Sequence, residues 1–281
     1  MRRIFSLRPY LDAGRDLGSL LLRHRQLISE MTRREIRGQH AGQLLGSMWA
    51  LTHPLFLVAL YVFLFAYVYT GRVAGNEADA SSLATYVLAG LIPWLSFADA
   101  LNRGTCAIVI ETALVKQVVF PIEILPVKSA LVAFMGQLVS TPILIAVMIV
   151  VDGHLPPTIT LLPLLLGLQL IAMIGASYLL SALAVYIRDT RELVRIFTTA
   201  GLFLAPILYQ PAWVEQASPA FGRLLLFNPF SHLIWCYQDA LFFGHIAHPW
   251  SWVVLILSSI VTLLLGYRVF KRLRVLFGDV L

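Results

Sequence analysis

The sequence predicts an all-α, polytopic membrane protein with six transmembrane helices, an N-terminal amphipathic interfacial helix and a re-entrant helical region before the last span. Three observations carry this. Of 281 residues, 59% are hydrophobic and only 13% are charged, against about 45–50% and about 25% in soluble domains. Apolar runs of about 20 residues, the length that crosses about 30 Å of hydrocarbon, recur along the chain. Nineteen of the 21 Lys and Arg fall in, or toward the span ends that flank, the connections that six spans place on one side, as basic residues do on the cytoplasmic face. With a mean hydropathy of +0.80, a soluble enzyme, a disordered chain or a secreted disulfide scaffold is excluded. Cys106 and Cys236 sit in separate apolar regions and make no redox or metal spacing. The +6 net charge does not point to nucleic acid, because the charges lie in short blocks between apolar runs.

The first element is amphipathic and does not span. From about Leu17 to Arg37, residues Leu17, Leu20, Leu21, Leu27, Ile28 and Met31 fall within an arc of about 120° at 100° per residue. Arg23, Gln26, Glu30, Arg33, Arg34 and Arg37 take the opposite face, and His24 and Glu35 interrupt the apolar stripe. A basic amphipathic helix before a span reads as an interfacial helix on the inner leaflet. Its guanidinium groups Arg23, Arg33, Arg34 and Arg37 are candidates for lipid phosphates or a phosphorylated lipid, and the helix also serves as a topology anchor.

The spans follow in order: about Met48 to Tyr69, Leu83 to Ile110 with Pro93 inside, Val127 to Val151, Ile159 to Ile187, the shorter Leu193 to Tyr209, and Trp250 to Phe270. Pro211 to His248 is moderately apolar but broken by Pro219, Gly222, Asn228, Pro229 and Gly244. Broken segments at membrane depth pack inside protein or line a cavity, so this stretch reads as a re-entrant pair of short helices. The chain therefore divides into a cytoplasmic N-terminus (1–47), a six-span domain (48–270) whose re-entrant region covers about 211–248, and a cytoplasmic tail (271–281). Both termini are expected in the cytoplasm. The first 19 residues carry six charges and no apolar h-region, so no cleavable signal is expected. Asp99 and Arg103, four apart with the acid first, are expected to pair.

Several stretches resemble, in order and across almost the whole chain, the polysaccharide-exporting ABC transporter permeases of the type-2 superfamily. REIRGQHAGQLLGSMWALTHPL (Arg34 to Leu55) is similar to their approach to the first span, and LAGLIPWLSFADALNRGT (Leu88 to Thr105) to their second span. LVKQVVFPIEILPV (Leu114 to Val127) and LSALAVYIRDTREL (Leu180 to Leu193) resemble their two cytoplasmic loops. APILYQP (Ala205 to Pro211) and LFNPFSHLI (Leu226 to Ile234) are similar to the end of the fifth span and the re-entrant region. His53 before Pro54 departs from the small polar residue expected there.

The resemblance implies a non-enzymatic half-transporter in the bacterial cytoplasmic (inner) membrane. A second copy completes a homodimeric pore, a separate cytoplasmic ABC ATPase dimer drives it, and the cargo is a lipid-linked glycan such as O-antigen, capsule or teichoic acid. No G-x-x-x-x-G-K-[ST] loop is present, so ATP and magnesium belong to the partner. No cofactor or metal is expected on this chain.

Against that background three further groups of residues become candidates. Leu114, Lys116, Phe120 and Glu123, with Arg188, Asp189, Arg191 and Glu192, are candidates for coupling to the ATPase. In the first span, Phe56, Phe63 and Tyr67 share one face and Tyr61, Phe65 and Tyr69 another. Flat amphipathic rings suit a path along which a sugar polymer slides, although the same rings fit lipid packing and an interfacial belt. Tyr209, Trp213, Asn228 and Pro229 are candidates for an exit gate. Three other readings stay open: a lipid or drug exporter of the same superfamily, a passive channel, and an intramembrane serine enzyme built on Ser177 and His232, in which Tyr178 stands where a glycine is wanted.

Overall fold

The computed structural model describes residues 8–39, 42–64, 80–117, 120–209 and 218–277. Every regular element among them is helical. Helices α1 (Arg8–Arg23) and α2 (Arg25–Gln39) replace the single amphipathic helix expected, with a break at His24. Helix α3 is Trp49–Phe63, α4 is Ala80–Ile110, the short α5 is Thr112–Gln117 and α6 is Ile124–Val147. Helix α7 is Leu162–Tyr186, α8 is Thr190–Leu204, α9 is Pro219–Phe227, α10 is Pro229–Gln238 and α11 is Pro249–Leu273.

Among the described residues, four helical stretches are long and apolar enough to cross a membrane: Leu83–Ile110, Ile124–Val150, Pro157–Tyr186 and Pro249–Leu273. Their ends match the apolar runs closely, because an uninterrupted run of this length has no other way to satisfy its backbone in hydrocarbon. The expected first and fifth spans are represented by α3 and α8, each 15 residues over the described positions. At 1.5 Å per residue that is about 22 Å. Helix α8 stops early because Ala205 turns to an extended conformation (φ −98°, ψ 151°) ahead of Pro206, as residues before proline do.

The centre of the fold is α4, packed against α6 and α7, with α11 laid along α7. Hydrophobicity alone does not hold such helices together, since lipid tails are as apolar as leucine; close approach and hydrogen bonds do. Close approach comes from Gly175 and Gly266, which face one another so tightly that a Cβ at Gly266 would meet the Gly175 carbonyl. Hydrogen bonds come from Gln137 and Gln169. Gln137 Nε2 donates to Gln169 Oε1 (3.0 Å) and to the Tyr237 hydroxyl (2.9 Å), and Gln169 Nε2 donates to the Pro93 carbonyl (2.9 Å) inside α4.

Around this centre sit the shorter elements. Helix α1 rests on α11, α2 on α6, α3 on α6 and α4, and α8 on α4. Helices α9 and α10 are the two short helices anticipated between the fifth and last apolar runs. Asn228 caps α10 by accepting from the Phe230 N–H (3.1 Å), and Pro229 takes the first helical position, a pairing that starts a helix sharply. Helix α10 is buried from Ser231 to Gln238.

Candidate functional site

The interfacial helix is tied to the bundle by charge. Lys128, the fifth residue of α6 and buried, bridges Glu35 of α2 (2.8 Å) and Glu111 (3.0 Å), which lies between α4 and α5. Arg103 of α4 pairs with Asp99 (2.7 Å), the expected i,i+4 partner, and also with Glu35 (3.4 Å). With its amide oriented to satisfy the guanidinium, Gln39 accepts from Arg103 as well (3.0 and 3.1 Å). The carboxylate that interrupts the apolar stripe of α2 thus has two cationic partners. The remaining arginines singled out on this segment, Arg23, Arg33, Arg34 and Arg37, are exposed.

The coupling candidates separate into two kinds. Arg188, Asp189 and Glu192 are exposed and Arg191 is half-buried; they occupy the turn from α7 into α8. Leu114 and Phe120 are half-buried, and the Lys116 side chain lies outside the described set. Glu123 does not present a free carboxylate. It is buried, it pairs with Arg274 beyond α11, and its carbonyl accepts from the Tyr178 hydroxyl (2.9 Å). Its charge therefore holds the connection into α6 against the end of the last helix.

The aromatic candidates also divide. Phe56 and Phe63 are 68% and 56% exposed, on the outward side of α3, whereas Tyr61 is half-buried against the core. Phe65, Tyr67 and Tyr69 lie outside the described residues. Beside α3 is a cavity of about 410 Å³ lined by His53, Pro54, Ser96, Asp99, Arg103 and Gln137 among others. Leu57, Val58, Ile92 and Leu95 also line it, so His53 borders a largely apolar recess with a few polar groups in its wall.

Of the gate candidates, Tyr209 is half-buried and its carbonyl accepts from the Tyr86 hydroxyl (3.3 Å). Asn228 and Pro229 form the cap described above, and Trp213 is outside the described residues. Near them is a site that the sequence reading did not single out. Asp239 is fully buried just after α10. Its carboxylate accepts from the His248 backbone N–H (3.1 Å), His248 Nδ1 (2.8 Å) and Trp252 Nε1 (3.0 Å), while the His248 ring stacks on Trp235 at 5.2 Å. A lone acid in the apolar run WCYQDALFF was the available signal, since an intramembrane carboxylate requires a partner.

The serine-enzyme reading fails on partners. Ser177 Oγ donates to the Ala100 carbonyl (3.4 Å) and packs against Gly104. His232 is engaged elsewhere: Nε2 donates to the Leu226 carbonyl (2.9 Å), so Nδ1 of the neutral ring accepts from the Ser251 hydroxyl (3.0 Å). Gly175 and Ser177 are packing residues. Among the described residues no group of three or more His, Cys, Asp or Glu could hold a metal ion.

No protein-family model matches the chain. Individual relatives do. An O-antigen export system permease protein RfbA of Myxococcus xanthus is 27% identical over 226 residues, covering 80% of this chain and 83% of that protein. An RfbA of Klebsiella pneumoniae is 22% identical over 257 residues, covering 91% and 95%. The polysialic acid transport protein KpsM of Escherichia coli is 23% identical over 243 residues, covering 85% and 90%. The chain is thus similar, over most of its length, to permease proteins of polysaccharide export systems.

Proposed function

We propose that the chain is the permease subunit of an ATP-driven exporter that carries a lipid-linked polysaccharide across the cytoplasmic membrane. The observation that carries this is similarity to export permeases over 80–91% of the chain, in a fold with four membrane-capable helices. Helices α3 and α8 supply the remaining two of six spans, and both termini are cytoplasmic. The pore forms between two copies, and a separate ATPase dimer engages the turn at Arg188 to Glu192 and the Leu114 to Phe120 segment. Exposed Phe56 and Phe63 support a glycan path along the outward face of α3. The α9–α10 pair is the exit gate, its buried half anchored by Asp239. Arg23, Arg33, Arg34 and Arg37 meet phosphates at the inner leaflet.

The test is a gentle detergent pull-down of the tagged chain from its native membrane. Stoichiometric recovery of a nucleotide-binding subunit, with loss of surface glycan when the chain is depleted, is the expected result. A chain that purifies alone under conditions preserving other transporter complexes, and whose depletion leaves surface glycan intact, overturns the proposal.

A further inference from the structure

A groove of about 660 Å³ runs between α2 and the flank of α6 and α7. Its α2 wall carries Arg25, Arg33 and Arg37, and among the described residues no carboxylate lines it. None of the three arginines is in an ion pair among the described residues. Arg33 and Arg37 are one turn apart, close enough for two guanidinium groups to grip one phosphate. The opposite wall is apolar: Val127, Leu131 and Met135, four apart along α6, and Ile174 of α7. That row extends about 12 Å from the end of α6 that holds the Lys128 ion pairs toward its middle.

Cations above an apolar strip match a lipid in the inner leaflet, with its phosphate at the interface and an acyl chain descending along α6. At 100° per residue, Val127, Leu131 and Met135 face away from Ala133, Gly136, Gln137 and Ser140, which line the recess beside α3. The groove is therefore on the far side of α6 from the exposed rings of α3.

We infer that this groove is a resident site for one anionic phospholipid of the bilayer. The inference rests on reading the chain as a membrane protein, not on the identity of its cargo. The bound lipid wedges α2 against α6 and adds to the ion pairs of Glu35 in fixing the interfacial helix.

The experiment is native mass spectrometry of the full chain, extracted gently from vesicles containing phosphatidylethanolamine with phosphatidylglycerol or cardiolipin. One tightly retained anionic lipid per chain is expected, with phosphatidylethanolamine lost first. The variant Arg33→Gln/Arg37→Gln should lower that retention about tenfold, and Leu131→Trp, which fills the floor without touching charge, should lower it too. Equal retention of the zwitterionic and anionic lipids by the unaltered chain overturns the site, and requires no variant to fold. So does retention unchanged in both variants. A phosphorylated polyprenol added to the same vesicles and retained in place of phospholipid assigns the groove to cargo and overturns its resident role. Because no ATPase or glycan is present, failure here leaves the exporter reading standing, and failure of that reading leaves this one.

Discussion

The faces that the central helices α4, α6, α7, α10 and α11 turn toward one another and the faces that the flanking helices α3 and α8 turn outward solve the membrane problem in opposite ways. In the centre, glycine faces glycine, and buried Gln137, Gln169 and Asp239 find partners within 3.1 Å. On the flanks, large apolar groups point outward: Leu51, Leu55, Phe56, Leu60 and Phe63 on α3, and Leu193, Ile196, Phe197, Phe203 and Leu204 on α8. Small residues and satisfied polar groups specify one arrangement within a chain. Bulky exposed ones leave surface for lipid or for another chain. The difference separates residues that fix this fold from residues available for work outside it.

Substitutions in the centre should therefore be costly and those on the flanks cheap. The largest effect is expected at Gly266. An added methyl meets the backbone of α7 at Gly175, and two packed backbones cannot yield as a side-chain tip can. Gly266→Ala should destabilise the purified protein by about 3 kcal/mol, read as a clear drop in the midpoint of thermal unfolding in detergent. A midpoint within a degree of the parent would mean that α7 and α11 are free to slide, and the contrast with the flanks would lose its main support.

Asp239→Ala comes close behind. It removes a buried acceptor from three N–H groups at once, two of His248 and one of Trp252. Leaving such donors unpaired costs about 1–3 kcal/mol each, less what water recovers at the partly exposed His248, so about 2–3 kcal/mol in all is expected. Asp239→Asn keeps one acceptor oxygen and should recover part of this in the same melt. Equal melting of both variants would show that the acid is not what holds α10 to α11.

A smaller effect sharpens the boundary between the two regions. Lys128 is buried, but Glu35 and Glu111 are each about a third exposed and can turn to water when the lysine is lost. Arg103 also remains as a partner for Glu35. Lys128→Met should cost about 1–2 kcal/mol, and a double-mutant cycle with Glu35→Gln should return a coupling of about 1 kcal/mol. A coupling near zero would place α2 with the loosely held flanks.

The sequence made the central helices readable because their signal is local. An apolar run of sufficient length needs no knowledge of its neighbours, and the runs at 83–110, 159–187 and 250–270 match α4, α7 and α11 to within a few residues. Local chemistry also marked Asn228–Pro229 as a break and the Asp99–Arg103 pair, four residues apart. The rest depended on distant partners. Glu35 looked like a flaw in an amphipathic face because Arg103 is 68 residues away. Glu123 looked free for docking because Arg274 lies beyond the last helix. Nothing in the apolar runs singles out Gln137 and Gln169, because their bonds cross between helices. The break of the interfacial segment at His24 has no proline or glycine to announce it.

The smallest stability change is the most informative about function. Phe56 and Phe63 lie on one face of α3, 68% and 56% exposed, so truncation removes little buried area. Phe56→Ala/Phe63→Ala should shift stability by no more than about 0.5 kcal/mol, and should co-purify with the ATPase as the parent does. If this face carries a glycan, surface polymer measured in cells expressing the variant should nevertheless fall severalfold, because the rings supply the flat surface along which sugars slide. Aromatic replacements at the same positions should restore it. Unchanged export would assign the two rings to lipid, and export lost together with stability would move α3 from the flank to the centre of the fold. Only loss of export at unchanged stability separates the structural centre from a working surface.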